Sequence, residues 1–438
     1  MKLRAQKSKI TTVGIVLIMT AISSNLNWGG EHWKGILRTD AKGYYAYLPA
    51  VFVYQDLNFN FFESIEKNKY YDACCFFDYR IYKPDGRDIN KYYCGTAVAQ
   101  LPFFLIAHAA SHAGSYEPDG YSKLYPISIC IATLFYLLIG LLYLNSILDL
   151  YKIKEIHKCL VLTIAVFGTN LFYYTVGEPG MSHVFSFAFI TMFIYYAKLF
   201  FTSSMAKLLL VMGALLGIIV LIRPVNGLIV FVLPFLAGDI QSLKQGFFQA
   251  MRNKRHLVAG FCLFVAVLSI QLIYYKLSTG DFLVYSYADE GFNFLEPHIF
   301  DILFSYKKGL FLYTPIFLIS LMGIYYLWKS SNFEFYSMAL FLFLIVYVFS
   351  SWWIWFYGGS FSSRVFVEYI AIFMVLLAIA LSRIESKNFR RCFVAATSFF
   401  VLLCQVQTYQ YRYYIIHWSD MTKEKYWDSY LQIGRLLE

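Results

Sequence analysis

Apolar runs long enough to cross a bilayer core of roughly 30 Å recur from one end of the chain to the other. No polar block between them is large enough to fold as a separate soluble domain. The pattern predicts a single all-α, membrane-embedded domain over 1–438 with about eleven transmembrane helices. Their spans fall at 10–27, 124–149, 158–176, 182–201, 207–222, 225–238, 257–276, 309–328, 334–352, 365–382 and 392–411. Two of these, 207–222 and 225–238, are short, and Arg223 and Pro224 interrupt the apolar run between them. The longest polar stretch, 28–123, reads as a first loop that folds back on the membrane as short interfacial helices. Within it, 97–113 is apolar but short and contains Pro102 and His108. If it crossed, the basic loop at 151–158 would fall outside, against the positive-inside bias, so it is read as interfacial or re-entrant.

Composition agrees with this pattern. Of the 438 residues, 59% are hydrophobic, 20% aromatic and 15% charged, and mean hydropathy is +0.54, which excludes an ordinary soluble domain. A net charge of +10 raises the question of nucleic acid. Here, however, the basic residues gather in short loops: Lys152, Lys154 and Lys158; Lys207; Lys244, Arg252, Lys254 and Arg255; Lys329; Arg383, Lys387, Arg390 and Arg391. With the basic amino terminus cytoplasmic and 10–27 read as an uncleaved anchor, all of these loops are cytoplasmic. Lysine and arginine set topology, and no nucleic-acid partner is implied.

The polar motifs then collect on the other side. They are Asp40 and its neighbours, Asp85-Gly-Arg-Asp88, Gly177-Glu-Pro-Gly-Met-Ser-His183, Arg223-Pro-Val-Asn226, the loop 277–308, and Gly358-Gly-Ser-Phe-Ser-Ser-Arg364. A transporter places polar groups near mid-membrane on discontinuous helices, and such groups are scarce inside these spans. An active site at the outer face, with the first loop as its lid, fits better. Asp40 lies about a dozen residues beyond the first span and is followed by Gly43, Tyr44, Tyr45, Tyr47 and Pro49. Aromatic rings there can shield a general base from bulk water, although an interfacial aromatic belt with a solvated aspartate accounts for the same residues.

These motifs resemble the GT-C superfamily of integral-membrane glycosyltransferases. The likeness is carried by Asp40, by Gly43-Tyr-Tyr-Ala-Tyr-Leu-Pro49, and by Tyr93-Cys-Gly-Thr-Ala-Val-Ala-Gln-Leu-Pro-Phe-Phe104. Phe304-Ser-Tyr-Lys-Lys-Gly-Leu-Phe-Leu-Tyr-Thr-Pro315 and Trp355-Phe-Tyr-Gly-Gly-Ser-Phe-Ser-Ser-Arg364 are similar to segments of its bacterial members. The resemblance implies transfer of a hexosyl or pentosyl group, with inversion, from a polyprenyl-phosphate donor. The acceptor is a lipid, glycan or protein outside the cytoplasm, and the membrane is the bacterial inner membrane with the site facing the periplasm.

Asp40 matches the catalytic acid of the family's first loop. The departing phosphate calls for cations, and Arg223, Arg364, Lys307 and Lys308 are available, arginine being the better bidentate clamp. Arg223 and Arg364 also stand at span ends, where arginines snorkel to the interface. Asp85, Asp88, Glu178, His183, Tyr44 and Tyr45 are candidates for a second acid or for substrate contacts. A solvated turn explains the two aspartates equally well, and helix capping explains Glu178 and His183. Some family members carry an acidic pair at the Asp40 position. Ala41 and Lys42 follow it here, which leaves the second acid and any divalent metal unassigned.

The cysteines give no metal signature, although Cys74, Cys75 and Cys94 in the outer loop would permit one disulfide. Walker A, dinucleotide and GxSxG patterns are absent from the sequence. A lipid-linked glycan flippase or other transporter is the leading rival reading, and a non-catalytic membrane scaffold is a third.

Overall fold

The computed structural model describes residues 7–70, 77–83, 86–203 and 205–434. The chain is an all-α, multi-pass membrane protein carrying one small antiparallel hairpin. Its elements in order are α1 (Lys7–Asn27), α2 (Asp40–Phe52), β1 (Arg80–Tyr82), β2 (Asp88–Asn90), α3 (Gly95–Ala113), α4 (Leu124–Leu150), α5 (Glu155–Phe167), α6 (Leu171–Val176), α7 (His183–Ser203) and α8 (Leu208–Ile222). A 3-10 segment, Pro224–Val232, leads into α9 (Leu233–Ala237), α10 (Ile240–Arg252), α11 (Lys254–Thr279), α12 (Ile299–Phe304), α13 (Leu310–Tyr313), α14 (Ile316–Ser320), α15 (Met322–Ser330) and α16 (Asn332–Ser350). A further 3-10 segment, Arg364–Tyr369, precedes α17 (Ile370–Arg383), α18 (Lys387–Arg412) and α19 (Lys423–Ser429).

Among the described residues, seven helical stretches are long and apolar enough to cross a membrane: α1, α4, α7, α11, α16, the segment Arg364–Arg383, and α18. They correspond to seven of the eleven expected spans. The other four are not continuous long helices. The run 158–176 is broken between α5 and α6, where Gly168, Thr169 and Asn170 leave the helix and the Phe167 carbonyl accepts from Gln405 Nε2 at 2.6 Å. The stretch 225–238 is a 3-10 segment followed by the five residues of α9, and 309–328 is divided among α13, α14 and α15 around Pro315. Only 15 residues make up α8. It lies close against α11 because both are bare at the crossing: a Cβ on Gly213 would meet the Gly260 carbonyl oxygen at 2.1 Å, and one on Gly217 would meet Val267 at 2.9 Å.

The ends of these helices separate two faces. At one end Lys158 pairs with Asp149 at 2.6 Å, Lys198 donates to the Leu236 carbonyl, and the Ser8 amide donates to Glu155. That end carries the basic loops. The opposite end carries a cap formed by α2, the hairpin and α3. The helix α3 runs antiparallel to the first half of α4, with Ala99 level with Tyr136 and His108 level with Tyr125. At about 1.5 Å per residue the 27 residues of α4 measure some 40 Å, longer than a bilayer core, so its first turns have length to spare for the cap.

Close backbone contact fixes the cap to the bundle. A Cβ on Gly95 would stand 2.3 Å from the backbone of Leu221 and Ile222, so α3 begins directly on the end of α8. The Cys94 amide donates to Gln271 on α11 at 2.8 Å, and Tyr274 accepts from the Asn90 amide at 3.1 Å. Cys94 is buried at this junction, while Cys74 and Cys75, named with it as disulfide candidates, lie outside the described residues. Replacing Gly95 by alanine is expected to overpack this junction and lower stability by about 1–3 kcal/mol. Thermal unfolding in detergent would read the loss, with Gly14→Ala as the control, since a Cβ at Gly14 meets nothing within 4 Å.

Candidate active site

At the cap end of the bundle lies a cavity of about 390 Å³. Its wall includes Asp40, Tyr44, Lys91, Tyr92, Arg223 and Arg364, and its apolar part is aromatic, with Tyr287, Phe292, Trp352, Trp353 and Tyr357.

Asp40 is the first residue of α2, entered through Thr39 at φ 47°, an uncommon conformation for a β-branched residue. Arg364 begins its 3-10 segment after a loop in which Tyr357 (φ 55°) and Ser362 (φ 57°) are also left-handed. Strained backbone therefore precedes both members of the central pair, the kind of placement found at functional sites. Arg364 Nη2 donates to Asp40 Oδ2 at 2.8 Å, with both side chains only 13% and 15% exposed. The Tyr92 hydroxyl donates to Asp40 Oδ1 at 2.8 Å. It reaches there because Gly43 has no side chain: a Cβ would overlap the Tyr92 ring at 2.3 Å. Burial raises the Asp40 carboxyl, but Arg364, the Tyr92 hydrogen bond and Arg223 together outweigh it and hold the group below the ordinary carboxylate range.

Arg223 follows the last residue of α8, its helix ended by Pro224. Its Nη1 donates to Glu368 Oε1 at 2.9 Å. His183, the first residue of α7, places Nδ1 3.2 Å from the same oxygen. A third pair, Lys91 with Glu290 at 2.5 Å, joins the cap to the loop after α11 on the cavity wall.

The sequence candidates thus fall into three groups. Asp40, Tyr44, Arg223 and Arg364 line the cavity. Glu178 and His183 lie behind it and do not pair with each other: His183 meets Glu368, while Glu178 accepts from the Tyr173 hydroxyl at 3.2 Å. Burial pushes the Glu178 carboxyl up to about 7, against the pull of Arg364.

Lys307, Lys308, Tyr45 and Asp88 are not brought to the cavity. The Lys307 ammonium sits 3.5 Å from the centre of the Phe356 ring. Lys308 is buried, donates to the Ser360 carbonyl and faces the Tyr411 ring, and burial pushes it down to about 7. The outward basic pair is thus taken up by aromatic rings and a carbonyl. Tyr45 is buried in the cap and donates to the Gly120 carbonyl, and Asp88 stands 3.7 Å from Arg80 within the hairpin. Asp85 lies outside the described residues.

Sequence reasoning missed Lys91, Tyr92, Glu290 and Glu368. Tyr92 directly precedes the quoted motif beginning at Tyr93, and Glu368 stands four residues past Arg364 within an apolar run. An acid inside a span was the available signal. Among the described residues, no three His, Cys, Asp or Glu side chains form a cluster able to hold a metal ion.

No protein-family model matches the chain, and no curated protein matches it. Among solved structures it is similar to the apo oligosaccharyltransferase of Archaeoglobus fulgidus, with a TM-score of 0.49 and 13% sequence identity. The match covers 95% of this chain and 57% of that one, so the chain spans little more than half the length of that structure.

Proposed function

We propose that the chain is an inverting membrane glycosyltransferase that moves a hexosyl or pentosyl group from a polyprenyl-phosphate donor to a lipid, glycan or protein acceptor. The observation that carries this reading is the joining of Asp40, Arg364 and Arg223 on one aromatic-walled cavity. Transfer needs a base beside the acceptor hydroxyl or amide and positive charge beside the departing phosphate. Asp40, held ionised, serves as the base, and the two guanidiniums face the phosphate. The aromatic wall limits water that would otherwise compete with the acceptor.

Sidedness supports the placement. The basic loops lie at the end of the helices opposite the cavity, which under the positive-inside rule supports a cavity outside the cytoplasm; the bacterial inner membrane, with the site facing the periplasm, is carried over from the GT-C resemblance alone. On this reading 28–123 forms an extramembrane cap, α3 does not cross, and the three interrupted segments together with the short α8 complete eleven crossings.

The packing beneath the site favours an enzyme over a flippase. From Ile370 to Ala378 every residue of α17 is apolar and buried, which offers a lipid headgroup no polar path along that helix. The test is to reconstitute the protein in vesicles with labelled polyprenyl-phosphate sugars and a membrane extract as the source of acceptors, and to follow both transfer and transbilayer movement. Labelled product from at least one donor is expected. Movement of labelled lipid across the bilayer without turnover of any donor would replace the transferase with the flippase.

A further inference from the structure

The two cavity arginines are held in different ways. Arg364 belongs to the segment Arg364–Tyr369, whereas Arg223 stands alone between the end of α8 and Pro224. Glu368, which accepts from Arg223 Nη1, lies four residues beyond Arg364 on that same segment. Its side chain is 1% exposed and does not line the cavity. The grip is through one oxygen: Oε1 takes Arg223 at 2.9 Å and His183 Nδ1 at 3.2 Å, while Oε2 is buried without a hydrogen-bond partner.

A purely structural ion pair of this burial is best satisfied by a fork that uses both carboxylate oxygens. One-sided contact engages one guanidinium nitrogen of Arg223, a residue that is itself part of the cavity wall. His183 Nδ1 also lies 3.5 Å from Arg223 Nη1, so the imidazole sits against both members of the pair without lining the cavity.

We infer that Glu368 is a positioning residue that aims Arg223 at the donor phosphate and, by sharing a segment with Arg364, sets the spacing of a two-arginine clamp. This rests on the reading of Arg223 as a phosphate ligand. Arginine recognises phosphate through a fixed fork, so a small rotation of its plane loses the second contact. A carboxylate on the same short segment as the partner arginine ties both forks to one piece of backbone.

The experiment is a double-mutant cycle on binding of geranylgeranyl phosphate in detergent, with uncharged geranylgeraniol as the comparison. Arg223→Ala and Glu368→Ala are each expected to weaken binding of the phosphate roughly tenfold or more while leaving geranylgeraniol unchanged. In the Arg223→Ala background, Glu368→Ala is expected to add nothing, because it acts through the arginine. Glu368→Gln keeps an acceptor oxygen and should lose less; it carries the cycle if the alanine variant does not fold. Undiminished loss in the double variant, or equal loss for geranylgeraniol, overturns the inference and leaves the phosphate reading standing. If Arg223→Ala binds the phosphate like the wild type, the clamp reading itself fails and the role of Glu368 falls with it.

Discussion

Asp40→Asn is expected to reduce sugar transfer by roughly 10²–10⁴-fold, the range for removal of a general base, while donor binding is kept. The substitution preserves shape and can still accept one hydrogen bond, so the Tyr92 hydroxyl, 2.8 Å from Oδ1, retains a partner. What disappears is the negative charge that faces Arg364 Nη2 at 2.8 Å. Arg364 then has no carboxylate on the cavity side and remains free for the donor phosphate, so the donor KM is expected to hold or fall. Removing one partner of a pair this buried leaves the Arg364 charge uncompensated, a loss of about 3–5 kcal/mol. Transfer, donor binding and thermal midpoint measured on the same preparation separate the cases. Loss of turnover with binding intact supports the base. Equal turnover by both variants removes Asp40 from the proton transfer and leaves it as the partner of Arg364.

The sequence made half of this arrangement readable, for reasons visible in particular residues. Asp40, Arg223 and Arg364 stood out because each is a charge at the edge of an apolar run, where hydropathy contrast is greatest. Long helices such as α4 and α7 were equally plain, since their apolar length alone meets the bilayer requirement. Average hydropathy could not show the break at Gly168, Thr169 and Asn170, because the residues on both sides keep the mean high. Glu368 was hidden likewise: one acid among Val365, Phe366, Val367, Tyr369 and Ile370 barely alters a span, and its partner Arg223 is 145 residues away in sequence. For Lys307 and Lys308 the sequence withheld the surroundings instead. A basic pair in an outer loop looks free for an anion, but its availability depends on Phe356, Ser360 and Tyr411, which only tertiary packing brings to it.

Arg364→Gln should produce the other large effect, a roughly 10²–10³-fold loss of transfer at neutral pH, comparable to removing one charge-stabilising donor at a reacting centre. Two consequences combine in it. The phosphate loses a cation, and Asp40 loses the largest influence opposing its burial. The sign of the second follows from the carboxylate. In the wild type its value is depressed, so Asp40 stays ionised through the neutral range. The stability it contributes is present above its unfolded value and is lost as pH falls through the folded one. Without Arg364, burial remains and the value rises, so at a given pH less of the group is ionised and transfer falls. The variant's rate should therefore climb with pH across a range where wild-type dependence on Asp40 is flat, while the loss due to the phosphate contact persists at every pH. Glu178, at about 7, is also held down by Arg364 and would move the same way. The Glu178→Gln, Arg364→Gln double variant isolates Asp40: a limb that still shifts upward belongs to it, and a flat profile assigns the titration to Glu178.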